Sequence, residues 1–181
     1  GRDQELQILY DLFEQAVQGQ TRFCLIHGYS GVGKSALVNE IDPYQIRERG
    51  FLVQSKFDQY QRGEAYSALA ATFRALVQQI LLEPREQLAL WRERLASALG
   101  PNAALMIDLV PELALVIGQQ PAVVELPPAE SRNRLQLMLA AFLRVFADRG
   151  HPVVLFLDDL QWCDSPTLDL LRRIVNSREQ S

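Results

Sequence analysis

One stretch of the chain places glycines, a lysine and a serine at a spacing suited to phosphate chemistry. The segment GYSGVGKS fits the pattern G-x-x-x-x-G-K-S. Its glycines permit positive φ and close approach, so that backbone N–H groups can turn inward around β- and γ-phosphates, and the helix expected after the segment adds its positive N-terminal end. The lysine supplies a charge to those phosphates, and the serine hydroxyl is a hard oxygen ligand suited to Mg²⁺. We therefore predict a nucleotide-phosphate site formed by Gly28, Tyr29, Ser30, Gly31, Val32, Gly33, Lys34, Ser35 and Ala36.

A pair of carboxylates follows a second apolar run much later in the chain. Asp158 and Asp159 come directly after the residues VVLFL, at the carboxyl end of a predicted strand, where ligands bind in open α/β sheets. Together with the phosphate loop this is a Walker B pattern. We expect Asp158 to hold Mg²⁺ through water and Asp159 to polarise the attacking water. Lys34 and Asp159 are thus the predicted catalytic residues, and Ser35 and Asp158 the predicted metal ligands.

The elements before and after the loop alternate between helical and strand patterns. Residues 1–20 have helical apolar spacing, and the run TRFCLIHG, residues 21–28, reads as a strand buried on both faces. A helix over KSALVNEI, a short helical piece over YQIRERG and a second strand over FLVQSKF follow. Lys56 and Asp58 after that strand are interpreted as a solvated strand end, with a phosphate contact as the less favoured alternative. These elements predict a βαβ unit with a parallel sheet.

The middle of the chain is helical. Residues 65–81 and 84–100 are long amphipathic stretches, residues 102–130 are broken by prolines into short helices and linker, and residues 130–150 form a further helix. After the second acidic strand we expect a helix capped by Ser165, with Pro166 at its first position.

Composition and charge limit the function classes. The chain has 181 residues, 48% of them hydrophobic, and a net charge of −4, so no basic surface for nucleic acid is expected. The two cysteines have no disulfide or metal-ligand spacing, and no stretch reaches the roughly 18 apolar residues of a membrane span. We therefore expect a cytoplasmic protein that binds neither nucleic acid nor membrane. The start without Met and the end after an amphipathic stretch predict an excised segment.

The segments GRDQEL, GYSGVGKSALV, KFDQ and FLDDLQWCDSPTLDLL together resemble the STAND-type AAA-related ATPase module. That module occurs in large bacterial multidomain serine/threonine and histidine kinases, and in related form in maltose-activator-like transcription regulators. The resemblance covers essentially the whole chain. It implies an α/β P-loop NTPase fold, with three α/β/α layers, a mostly parallel sheet and a helical insertion. It also implies an intracellular switch that binds ATP with Mg²⁺, in which Arg2 lies near the adenine side.

The resemblance further implies a partial AAA-type ATPase domain over residues 1–181. Its parts are a Walker A half at 1–57, the helical insertion at 58–149, and the Walker B strand with its following helix at 150–181. In such ATPases a further strand carrying a sensor residue inserts between the two motif strands, and a lid follows. Neither is recognised in this sequence, so we expect the domain to be C-terminally truncated.

Three function classes remain open. The first is a regulatory ATPase switch in a bacterial signalling protein, favoured by Asp159. The second is a nucleotide-gated scaffold with negligible turnover, whose insertion contacts partners. The third is a P-loop small-molecule transferase, which has no need of a water-activating carboxylate. Expected partners are ATP and ADP, other domains of the same polypeptide and other signalling proteins, with a nucleotide-dependent oligomer as a further alternative.

The length of Asp159 bears on the rate. Many AAA ATPases have glutamate here, and aspartate is shorter by one methylene, which moves the carboxylate by about 1.5 Å. A displacement of about 1 Å can lower a rate on the order of a hundredfold. We therefore predict slow hydrolysis.

Overall fold

Helices surround a small parallel sheet in the computed structural model, which describes residues 2–29, 31–41, 46, 49–58, 65–147 and 151–176. Short 3₁₀ turns cover Gly100–Asn102, Pro111–Leu113 and Leu160–Trp162. The α/β class expected from the sequence is confirmed. In chain order the helices and strands are α1 Asp3–Val17, α2 Lys34–Asn39, β1 Phe51–Lys56, α3 Ser67–Leu81, α4 Arg85–Leu99, α5 Ala103–Leu109, α6 Ala114–Ile117, α7 Pro128–Phe146, β2 Val153–Asp158 and α8 Ser165–Asn176.

Strands β1 and β2 pair in parallel, with Phe51 opposite Val153 and Lys56 opposite Asp158. The strands approach closely at their start, where the Phe51 N–H donates to the Pro152 carbonyl at 2.9 Å and a Cβ on Gly50 would clash with that carbonyl. Because parallel strands end at the same edge of a sheet, this register places Lys56 beside the two acidic residues.

The core lies between the sheet and helices α3, α4 and α7. In α3 the buried apolar residues recur at helical spacing, which places them on one face: Leu69, Phe73, Leu76, Val77 and Ile80. Five aromatic side chains from β1 and these three helices form a cluster with ring centroids 5.0 to 5.7 Å apart: Phe51, Phe73, Trp91, Phe142 and Phe146. Edge-to-face and offset contacts at this separation stabilise a core beyond the area that they bury. The cluster therefore fixes β1 against the helices that follow it in sequence.

The helices predicted in this middle region are confirmed, with ends within two residues for α3 and α4. The short helices broken by prolines are also present, at Ala103–Leu109 and Ala114–Ile117. Helix α7 ends at Phe146 rather than continuing toward residue 150, and residues 148–150 lie outside the described part of the chain. Most of the helical piece predicted over YQIRERG also lies outside it.

The strand predicted at residues 21–28 is wrong. This segment forms no strand, and Phe23 and Leu25, expected to be buried, are 59% and 62% exposed. Thr21 lines a groove of about 320 Å³ together with Val153 and Leu155 of β2, so the segment lies beside the sheet without joining it. A strand needs a neighbour to take its backbone N–H and C=O groups, and within the described residues β1 and β2 pair only with each other. The predicted βαβ unit, which needed residues 21–28 as its first strand, is therefore not formed within the described residues, and the parallel pair is β1 with β2.

The cap of α8 also differs from the prediction. Asp164, not Ser165, caps the helix: its carboxylate accepts from the Thr167 N–H at 2.8 Å and from the Thr167 hydroxyl at 2.7 Å, and its carbonyl accepts from the Leu168 N–H at 3.1 Å. Aspartate and serine are both good caps, and the structure selects the residue one position earlier. Among the described helices, none has the length and apolar character needed to cross a membrane.

Candidate nucleotide-binding site

The glycine loop has the backbone conformation that its sequence requires. Gly31 has φ 80° and Gly33 has φ 90°, values that residues with a Cβ rarely adopt. The Val32 N–H donates to the Tyr29 carbonyl at 3.3 Å, which closes a turn before α2 begins at Lys34. Ser30 lies outside the described residues. The loop therefore turns sharply and leads directly into a helix.

Lys34 folds back over the loop. Its Nζ donates to the carbonyls of Gly28 at 3.0 Å and Tyr29 at 3.1 Å. An ammonium has three donors, and these two contacts use two of them. The positive charge is therefore held over the turn by the loop's own backbone, beside the residues that the sequence predicts to bind phosphate.

Ser35 and Asp158 come together although they are 123 residues apart in sequence. The Ser35 hydroxyl donates to Oδ2 of Asp158 at 2.9 Å, and the Asp159 N–H donates to Oδ1 at 2.9 Å. Two neighbouring ligands of an octahedral Mg²⁺, each at about 2.1 Å, lie about 3.0 Å apart. This spacing is also that of an ordinary O–H···O hydrogen bond, and it is compatible with a Mg²⁺ held directly by Ser35 and by Asp158 either directly or, as the sequence predicts, through water. Within the described residues, no group of three or more His, Cys, Asp or Glu side chains is arranged to hold a metal ion.

Asp159 has both carboxylate oxygens engaged. Oδ1 accepts from Nε2 of Gln161 at 3.0 Å, and Oδ2 lies 3.3 Å from Nζ of Lys56. Its backbone is left-handed, with φ 56°, a conformation that aspartate tolerates better than most residues. The Gln161 hydrogen bond, followed by the Lys56 contact, lowers the pKa of Asp159 from its ordinary value. The side chain is therefore ionised at neutral pH and held at the edge of the sheet.

Lys56 is the site residue that the sequence analysis missed. It was interpreted as a solvated strand end, and its side chain is indeed 71% exposed, but it forms an ion pair with Asp159. The signal lies in the register, because Lys56 stands opposite Asp158 and thus next to Asp159. Sequence reading could have found this contact only by first pairing the two strands.

Arg2 contacts the phosphate loop. Its Nη1 donates to the Gly33 carbonyl at 2.6 Å and its Nη2 to the Val32 carbonyl at 2.7 Å. The adenine contact implied by the resemblance stays a prediction. What the structure shows is that the first turn of α1 is tied to the residues that precede α2.

A parallel α/β fold with this loop and these carboxylates defines the class of P-loop NTPases. The chain belongs to the AAA ATPase domain family, whose match covers residues 1–181. Two relatives that are named as histidine kinases confirm that modules of this kind occur in multidomain histidine kinases.

One relative is hybrid signal transduction histidine kinase G of Dictyostelium discoideum, which is 35% identical over 176 residues; the match covers 97% of this chain and 5% of that protein. Histidine protein kinase 1 of Candida albicans is 22% identical over 192 residues, covering 97% of this chain and 8% of that protein. An uncharacterized protein of Rhizobium meliloti is 27% identical over 186 residues, and the match covers 94% of this chain and 16% of that protein. The chain thus spans less than a fifth of the length of these relatives. No solved structure matches it.

Proposed function

We propose that this chain binds ATP with Mg²⁺ and hydrolyses it slowly, as a regulatory switch module of a cytoplasmic signal-transduction protein. The observation that carries the proposal is the 2.9 Å contact between the Ser35 hydroxyl and Asp158, which joins the two sequence motifs into one site. Family membership supports nucleotide binding in general. The proposal includes the switch role, the slow rate and the cytoplasmic location.

Each residue has a distinct task in this proposal. The loop N–H groups and Lys34 bind the β- and γ-phosphates, while Ser35 and Asp158 would hold Mg²⁺. The metal, when bound, would neutralise phosphate charge as the terminal bond breaks. Asp159 orients water. The other domains of the same polypeptide are the proposed partners, since the relatives named as histidine kinases are much longer than this chain.

A second candidate is a nucleotide-gated scaffold with negligible turnover. It is favoured by Asp159, whose two carboxylate oxygens are engaged by Gln161 and Lys56. Both contacts lower the pKa of the carboxylate, which makes it a weaker base toward water. Steady-state phosphate release from the full-length protein separates the two functions. Release well below the roughly 10 s⁻¹ typical of enzymes but above background supports the slow switch, and release at background supports the scaffold.

The test of nucleotide binding is Lys34→Ala in the full-length protein. Hydrogen bonds to charged groups contribute about 1.5–3 kcal/mol, so calorimetry with Mg²⁺ should show ATP affinity reduced roughly 10- to 150-fold. Arg85→Ala is the control, because it removes one positive charge from an exposed position on α4. Equal ATP affinity in Lys34→Ala and the wild type would rule out the proposed site.

A further inference from the structure

We propose that Arg2 is a positioning residue, which fixes two peptide units of the phosphate loop so that their N–H groups face the phosphates. This inference rests on the proposed phosphate site. It assigns Arg2 a role through the loop backbone rather than through the base of the nucleotide.

The first argument is the geometry of the guanidinium. Its two terminal nitrogens donate to consecutive carbonyls, those of Val32 and Gly33, at 2.7 and 2.6 Å. A guanidinium is planar and rigid, so two parallel hydrogen bonds from it fix the orientation of both acceptors. Donors that carry a full charge also form shorter and stronger bonds than neutral donors. Arg2 therefore restrains the direction of two successive carbonyl groups.

The second argument is the planarity of the peptide. No cis peptide bond occurs within the described residues, and in a trans unit the C=O and N–H groups point in opposite directions. The Val32 carbonyl shares a peptide unit with the Gly33 N–H, and the Gly33 carbonyl shares one with the Lys34 N–H. Arg2 holds the carbonyl side of both units, so these two N–H groups are directed to the opposite side. A charged donor on a carbonyl also polarises the N–H of the same unit and strengthens it as a donor.

The third argument is the link to two helices. The Arg2 carbonyl accepts from the Leu6 N–H at 3.0 Å at the start of α1, and the Gly33 carbonyl accepts from the Leu37 N–H at 3.0 Å at the start of α2. Arg2 thus connects the first turns of α1 and α2 through the loop. A Cβ on Gly33 would clash with the guanidinium, at 3.0 Å from its Cζ. The absence of a side chain at Gly33 therefore makes room for Arg2 and also permits the positive φ.

The experiment compares ATP with inorganic tripolyphosphate, which has phosphates but no base or ribose. Affinities for both are measured with Mg²⁺ in the full-length wild type and in Arg2→Ala, Arg2→Lys and Arg49→Ala. Arg49 is the matched control, because it pairs with Glu14 near the other end of α1 and anchors the same helix without contacting the loop. We expect Arg2→Ala to weaken both ligands by the same factor, about tenfold, from the loss of charge-assisted bonds. Arg2→Lys should recover part of the loss, and Arg49→Ala should match the wild type.

Three results would overturn the assignment while leaving the proposed function in place. Arg2→Ala could weaken ATP but not tripolyphosphate, which would indicate a contact with the base or ribose. It could leave both affinities unchanged, or Arg49→Ala could weaken both ligands as much as Arg2→Ala does, which would indicate a general effect of α1. Failure of the wild type to bind either ligand would instead overturn the proposed function, and the role of Arg2 with it.

Discussion

Two regions of the molecule differ in how far they bury apolar side chains. One is the helical core, formed by α3–α7 with β1, and the other is the leading segment, formed by residues 20–29. Phe73 of α3 and Phe142 of α7 are fully buried, whereas Phe23 and Leu25 of the leading segment are 59% and 62% exposed. A helix satisfies its own backbone hydrogen bonds and needs only one apolar face covered. A strand needs neighbours for both its backbone and its faces. Apolar content therefore predicts burial only where the partner of that element is also in place.

The largest expected effect is the difference in free energy of unfolding between alanine substitutions in the two regions. Phe73→Ala leaves a cavity within the aromatic cluster and should lower the free energy of unfolding by about 3–5 kcal/mol. Phe23→Ala, at an exposed position, should change it by less than about 0.5 kcal/mol. Both changes in the free energy of unfolding are measured by urea titration of the full-length protein, with hydrogen exchange of peptides from α3 as the signal of unfolding. A loss above 2 kcal/mol for Phe23→Ala would mean that the leading segment is buried.

Thiol chemistry tests the exposure of the leading segment without changing a residue. Cys24 lies in the leading segment and is exposed, whereas burial, with a smaller contribution from Asp164, raises the pKa of the Cys163 thiol to about 12. The thiolate is the reactive form, so at pH 8 Cys24 should react with a maleimide at least about a hundredfold faster than Cys163. Peptide mapping by mass spectrometry assigns the label to each cysteine. Equal labelling rates would contradict the exposure of the leading segment or the partial burial of Cys163.

The acidic pair should affect ligand binding rather than folding, in contrast to Phe73. Asp158→Asn removes a proposed metal ligand and should lower Mg²⁺-dependent ATP affinity about tenfold, whereas Asp159→Asn should leave affinity within about twofold and reduce turnover. Calorimetry and phosphate release in the full-length protein distinguish these roles. If both variants lose affinity equally and turnover per bound ATP is unchanged, the division of roles is wrong.

The smallest expected effect concerns the titration of Asp159. The hydrogen bond from Gln161 is the largest cause of its lowered pKa, so Gln161→Leu should raise that pKa toward its ordinary value of 3.8. A lowered pKa in the folded state contributes stability that is present above the unfolded value and lost as the pH falls through the folded one. The variant should therefore lose less stability on acidification below about pH 4. Carboxyl NMR titration measures the pKa directly.

Gln120→Leu provides the control for this titration. It removes a similar side chain that donates to the Ile117 carbonyl in the helical core. It should leave the pKa of Asp159 where it is in the wild type. A pKa that is the same in Gln161→Leu and the wild type would show that the hydrogen bond does not control the titration.

Local patterns predicted the core helices and the two strands that pair, but not the absence of a strand at residues 21–28, and long-range pairing decided the contacts between the elements. The apolar spacing of residues 65–81 predicted α3, because a helix is encoded by neighbours within four positions. The pairing of Lys56 with Asp159 depends on the register of two strands about 100 residues apart. The contact of Arg2 with the loop depends on how α1 packs. A sequence pattern specifies neither the register nor the packing. The Asp164 cap was missed because two good capping residues are adjacent.

The contact between Ser35 and Asp158 has a consequence for how the protein is made. The loop leaves the ribosome 123 residues before its acidic partner, a delay of roughly 6 to 25 s at synthesis rates of about 5–20 residues per second. During that interval α3–α7 can form from contacts that are local in sequence, and local contacts form fast. Closing a chain of this length costs about 4 kcal/mol of entropy if it is flexible, and prior folding of the helices shortens the flexible part. We therefore expect the nascent chain to bring Ser35 and Asp158 together after the helical core has formed.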